Sequence, residues 1–390
     1  MFKKSACVLL AVFLLCGCAP EAAVSSVPAA ASAPAPSPSE LPRSEALTLL
    51  MDGDQHWNMR NTDSGYYDIA IRPDGSQLLY YTDFEQLTQA PLCSSAGCDH
   101  RSPDCTARTT ASALFVYQEH LYQFQIPVDS PPFLERADLN GTDRQALLCL
   151  SLGEEFVPGG VAAAGNALFF ATAETGPGES SLNPTSKINR LDLDSGAVEV
   201  IQSREQVNQF IVGVVDDKLV IKRFQIDPAT KAILMPEFLL MDQDGGEQPV
   251  ELPAFVTART WIFPEGARLL LVDDTEGAIL ELDLRTGQTR TVLSHPFLTE
   301  HPGATLIVAA SGDDLILNVG ADYYLCTGDE IKESAHCYYS GARPCNRILA
   351  RVGEDYLVCR DIDSCPKALA FISVPDYWQD ADSDVPIINE

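Results

Sequence analysis

From about residue 65 one unit recurs along the chain: an apolar run, a turn of Gly, Asp, Asn or Glu, a second apolar run, a third strand ending in an Asp-rich turn with glycine, and a short fourth strand. The clearest copies read VAAAGNALFFATA then KINRLDLDSGAVEVI within 161–201, FIVGVVDDKLVIKRF then EFLLMDQDGGEQPVEL within 210–252, and WIFPEGARLLLVDD then AILELDLRTGQTRTVL within 261–293. A fourth, LFVYQEHLYQFQI then FLERADLNGTDRQALLCL, fills 114–150. The turn glycines Gly141, Gly196, Gly245 and Gly287 are 55, 49 and 42 residues apart. A four-stranded antiparallel unit of this size cannot bury both of its faces alone. Stacking such units radially buries them and leaves only short edges, so the pattern predicts an all-β chain folded as a β-propeller. No long segment has the 3.6-residue period of an amphipathic helix.

Seven four-stranded blades are expected, at about 65–93, 114–150, 159–202, 210–252, 260–294, 304–333 and 347–379, with six or eight compatible with the degraded first, sixth and seventh copies. The first copy lacks an opening strand and the last a closing one. Strands drawn from both termini would close the ring, because an open ring exposes two edges.

PLCSSAGCDHRSPDC, between the first two copies, places Cys93, Cys98, His100 and Cys105 on one short loop. Three thiolates and an imidazole complete the tetrahedron of a structural zinc site. Against this, an exported protein meets an oxidising compartment, where short cysteine loops form disulfides, and buried free thiols are a third reading. The spacing misses C-x-x-C-H, so covalent haem attachment is not expected. Besides Cys18, nine cysteines follow the N-terminal segment, and nine cannot all pair. Cys326, Cys337, Cys345, Cys359 and Cys365 fall where the ring closes, which suits a disulfide staple there.

The run LYYTDFEQLTQAPLCSSAGCDHRSPDC, followed by LFVYQEHLYQF, resembles the propeller lipoproteins encoded in many copies by gut-dwelling Clostridia-type Firmicutes. The likeness covers most of residues 50–379 and includes Asp376-Tyr377-Trp378, expected as part of the last strand. That group is similar to the periplasmic propeller of the Tol system and is mostly without assigned function. The resemblance therefore implies a propeller and an envelope location. The extra cysteines between 326 and 365 depart from the group's pattern.

Location is expected from the first eighteen residues. Lys3 and Lys4, an apolar run too short for a permanent span, and Leu15-Cys16-Gly17-Cys18 read as a lipoprotein signal (1–18) ending at a lipidated Cys18. Residues 19–45, rich in Ala, Pro and Ser, are expected to be a disordered tether reaching roughly 30–80 Å. The propeller is assigned to 46–380 and an acidic C-terminal tail to 381–390. The chain would then be extracytoplasmic, held to the outer face of the cytoplasmic membrane by its lipid.

A formal charge of −29 makes nucleic acid an unsuitable partner, since phosphate binding needs clustered Lys and Arg. G-x-S-x-G, H-E-x-x-H and the phosphate-cradling loop are all absent. The pairs Asp216-Asp217, Asp273-Asp274 and Asp313-Asp314 sit where turns are expected. The Asp-rich loops at 192–196 and 242–245 lack the later bidentate Glu of a calcium loop. The expectation is a non-enzymatic binding module for a glycan, peptide or envelope component, with Trp57, Trp261 and Trp378 as candidate stacking platforms. The alternatives are a propeller enzyme acting on extracellular polysaccharide and a scaffold in an envelope complex.

Overall fold

A computed structural model describes residues 46–51, 61–157, 159–175, 182–335, 347–361 and 364–389. Cys18, Trp57, His336, Cys337, Cys345 and the tether lie outside the described residues. Seven antiparallel blades form a β-propeller. Blade 2 shows the unit in full, with strands Ala111–Tyr117, His120–Gln125, Phe133–Asp138 and Gln145–Cys149 pairing in chain order. Blades 4 to 6 repeat it over 208–249, 262–294 and 305–333.

The second strand of each unit carries the core. Leu219, Val220 and Ile221 of blade 4, and Leu269, Leu270 and Leu271 of blade 5, are at most 1 % exposed. Because successive side chains alternate faces, a run buried on both faces must be sandwiched between neighbours. Seven apolar clusters do this, each joining two adjacent blades, and the last two join blade 7 to blade 1 and blade 1 to blade 2. The first strands of blades 2, 4, 6 and 7 each carry a register shift, between Ala111/Ala113, Ile211/Gly213, Ile307/Ala309 and Ile348/Ala350. Such bulges add local twist, which these radially stacked sheets share.

The expected turn glycines all have positive φ. Gly245 shows why no other residue serves: at φ +87° a Cβ would run into the Ile201 carbonyl on the outer strand of blade 3.

Ring closure differs from the expected mixing of both termini. The C-terminal residues do both jobs. Val385–Pro386 forms the fourth strand of blade 7, and Ile388–Asn389 pairs in parallel with Thr88–Pro91 as the outer strand of blade 1. The Asp384 carboxylate, only 3 % exposed, is held 2.9 Å from Arg360. The stretch expected to be an acidic tail is thus pinned into the sheet from 384 to 389. The N-terminal strand Thr48–Met51 instead pairs with Val161–Ala164, the first strand of blade 3, along its free edge. First strands line the centre of a propeller, so this strand lies on the channel side, with Leu50 and Met51 buried in the core between blades 2 and 3.

Asp376-Tyr377-Trp378 belongs to a short helix, Val374–Trp378, and not to a strand. The Ser373 hydroxyl accepts from Asp376 N at 3.2 Å, and Pro375 sits in the first turn, where a missing N–H costs nothing.

Candidate functional site

In an up-and-down blade, the loops between strands 2 and 3 and the connections from one blade to the next share one end of the propeller. The tight turns occupy the other. Two cavities open at the loop-bearing end. The larger, about 300 Å3, lies between blades 3 and 4 and is lined by Arg204, Arg223, Phe224, Leu234, Met235 and Glu237. Its two arginines are already paired: Glu247 lies 2.6 Å from Arg223 and 3.1 Å from Arg204.

The smaller, about 130 Å3, lies between blades 5 and 6 and differs in kind. It is built from the connection carrying Arg259 and Trp261, the loop Asp273-Asp274-Thr275, and Gly303 to Leu306 at the start of blade 6. Trp261 is 39 % exposed and is fixed in place by donating from Nε1 to the Ile307 carbonyl at 2.9 Å. Asp273, 7 % exposed, accepts on Oδ1 from the amides of Thr275 and Glu276 at 3.1 and 3.2 Å. Asp274 accepts on Oδ2 from Gly303 N at 2.6 Å, tying the two blades together. Each carboxylate leaves its second oxygen for a ligand. Thr305 completes the lining: it is 3 % exposed, and its hydroxyl has no hydrogen-bond partner. A buried hydroxyl left unpaired costs about 1–3 kcal/mol.

Asp273-Asp274 stand out in the sequence only as turn formers. Thr305 and Arg259 carry no signal there, because residues 46 positions apart meet only once two blades stack. The other pairs sit at the opposite end in ion pairs, Asp216 with Arg285 at 2.9 Å and Asp313 with Arg290 at 2.6 Å. Trp378 is no platform: it packs against the core between blades 6 and 7 and donates to Tyr356 Oη at 3.3 Å. His120 contacts the Gln118 carbonyl at 2.7 Å in a tight turn, and His295 caps the helix Pro296–Glu300.

The second cluster is the knuckle. Ligand atoms of Cys93, Cys98, His100 and Cys105 all lie within 4.8 Å of one another, an arrangement compatible with a metal ion. His100 Nδ1 is 3.4 Å from Cys105 Sγ. Burial pushes the Cys105 thiol up to about 11, whereas the Ser95 amide donating to Cys93 holds that thiol below its ordinary value. Arg72 and Arg108 pin the loop by donating to the carbonyls of Asp99 and Arg101 at 3.2 and 3.1 Å.

None of the seven described cysteines forms a disulfide. Cys326 is buried between blades 5 and 6 and Cys359 between blades 7 and 1, so they belong to different cores. Cys365 packs instead against the apolar side of the knuckle. The expected staple therefore finds no pair among the described residues.

No family model and no curated protein matches this sequence. Solved structures do resemble it. An oligogalacturonate lyase from Vibrio parahaemolyticus is 12% identical with a TM-score of 0.54, over 85% of this chain and 94% of that one. A puromycin-hydrolyzing peptidase from Mycobacterium tuberculosis is 11% identical with a TM-score of 0.52, over 89% of this chain and 56% of that one. TolB from Acinetobacter baumannii, 13% identical over 85% of this chain and 61% of its own, gives a TM-score of 0.33, too low to argue from. At these identities the likeness establishes the fold. It runs against the expectation of a non-enzymatic chain, because the two better-matching propellers belong to enzymes.

Proposed function

We propose that this protein is a propeller enzyme acting on extracellular polysaccharide, anchored outside the cell through a lipid on Cys18, and that it engages its polymer in the cleft between blades 5 and 6. The observation that carries the reading is the meeting of Asp273, Asp274 and the exposed ring of Trp261 in one cleft between two blades. A carbohydrate offers what this lining lacks: hydroxyls to pair with the carboxylates, and an apolar ring face for Trp261. The cleft is smaller than the roughly 300–1,000 Å3 of sites that engulf a small molecule, which suits one sugar of a chain lying across the face.

The likeness to the oligogalacturonate lyase supports this class, since it spans nearly all of both chains, whereas the peptidase is matched over little more than half its length. The substrate would differ from a polyuronate. With a charge of −29, this chain repels a polyanion, so an uncharged polysaccharide is the better fit. Asp273 and Asp274 are the groups in the cleft able to move a proton at a bridging oxygen.

The test is incubation of the purified protein with a panel of uncharged polysaccharides, with products separated by size. Shortened chains, lost in Asp274→Asn, are the expected result. Polysaccharide bound but left intact would establish the second reading, a binding module, which the exposed Trp261 platform favours. Neither cleavage nor binding would overturn both.

A further inference from the structure

We propose that Cys93, Cys98, His100 and Cys105 bind one zinc ion, and that this ion holds the seam where blade 7 meets blade 1. The inference is independent of the cleft and stands or falls without it. It begins with the sulfurs. Cys98 Sγ accepts from the His100 amide at 3.4 Å, and His100 Nδ1 lies 3.4 Å from Cys105 Sγ. An N–H aimed at sulfur gains most when the sulfur is charged, so the His100 amide on Cys98 suits a thiolate.

Three sulfurs this close can all be thiolates together only if a cation sits among them, and the four converging ligand atoms leave a place for a metal. Zinc in a tetrahedron with Zn–S of about 2.3 Å needs sulfurs about 3.8 Å apart. Atoms already within 4.8 Å reach that by small side-chain shifts. Thiolate and imidazole donors select zinc over magnesium or calcium, which prefer oxygen. Four protein ligands leave no open position, so the site is structural. Binding would release the three thiol protons to solvent.

The backbone is shaped to the same end. Gly97 at φ +72° and His100 at φ +57° turn the loop back on itself, bringing Cys98 and His100 round towards Cys93. The loop interrupts the third strand of blade 1. Thr88–Pro91 pairs with one half of Gln77–Asp83, and Arg108–Thr109 returns to pair with the other half at Gln77 and Leu78. The chain leaves the sheet for sixteen residues between these halves and re-enters it in register. Behind the loop lie Ala70, Leu78 and Tyr80 of blade 1, with Cys365 of blade 7 packed against the same cluster. A metal closing the loop thus fixes the surface on which blade 7 leans.

Native and denaturing mass spectrometry of the intact protein, with cobalt exchange, decides the first half. The expected result is one zinc per chain, lost on denaturation with Cys93, Cys98 and Cys105 then open to alkylation, and replacement by cobalt giving the visible absorption of a tetrahedral thiolate site. A metal-free protein with a disulfide within the loop would overturn it, as would zinc retained undiminished in Cys98→Ser. Hydrogen exchange with and without chelator decides the second half on wild-type protein, so no variant has to fold. Faster exchange is expected in Ala368–Ser373 and Gly65–Ile71 as well as in the loop. A change confined to 93–107 would overturn the seam role.

Discussion

Lys367 reaches across the closure of the ring to Asp68, its Nζ 3.0 Å from Oδ1 and 2.8 Å from Oδ2. Asp68 lies on the first strand of blade 1 with its side chain 3 % exposed, while Lys367, 19 % exposed, precedes the third strand of blade 7. Removing Lys367 takes a cation away from a buried carboxylate. Lys367→Met is expected to cost about 3 kcal/mol, read from denaturant unfolding, and restoring a cation as Lys367→Arg is expected to recover part of it. A loss within experimental error would show that the seam does not depend on this pair.

Thr305→Val exchanges the unpaired hydroxyl for a methyl at nearly constant volume. The variant is expected to be more stable than wild type by on the order of 1–2 kcal/mol. Equal stability would mean that the hydroxyl is satisfied in the free protein.

Burial raises the pKa of Glu135, with Arg144 at 3.3 Å and Gln125 opposing it. The folded carboxyl then holds its proton more tightly than the unfolded one. Its stabilising contribution is complete below the unfolded pKa and is lost as pH rises through the folded value. Wild type is therefore expected to lose stability relative to Glu135→Gln between about pH 4 and pH 7. Thermal unfolding of both at the two pH values checks this, and a constant gap would contradict it.

Thiol reactivity follows burial. Cys326 is pushed up to about 12 by burial alone, whereas Cys149 is exposed on the outer strand of blade 2. Brief alkylation of the native protein should label Cys149 and leave Cys326 and Cys359 unmodified until unfolding. Early labelling of Cys326 would mean that the core between blades 5 and 6 opens readily.

The blades are legible in the sequence because each repeats a local rule: a doubly buried second strand such as Leu269-Leu270-Leu271, and an Asp–Gly turn such as Asp283 to Gly287, where Asp283 Oδ1 accepts from Arg285 N at 2.7 Å. What closes the ring is not. Val385–Pro386 and Ile388–Asn389 are two residues each, too short for any periodicity, and Val385 and Ile388 are 50 % and 66 % exposed. Their pairing depends on edges far away in sequence. Thr48–Met51 likewise resembles any short apolar stretch, and only the free inner edge of blade 3 gives it a partner. At the sites the contrast is the same. The knuckle is contiguous, so its four side chains can be named from spacing alone. The cleft is assembled from three segments on two blades, and of its residues only Trp261 and the Asp273-Asp274 pair stand out in the sequence, one as an aromatic and the other as a turn.

The most direct measurement of the cleft's role is hydrogen exchange of the intact protein with and without an uncharged oligosaccharide. The amides of Thr275, Glu276 and Gly303 donate to Asp273 and Asp274, so they report on those carboxylates from within the cleft. The account predicts that exchange slows at these three positions and around Thr305. Protection at the cavity of Arg223 and Glu237 instead, or none anywhere, would contradict it.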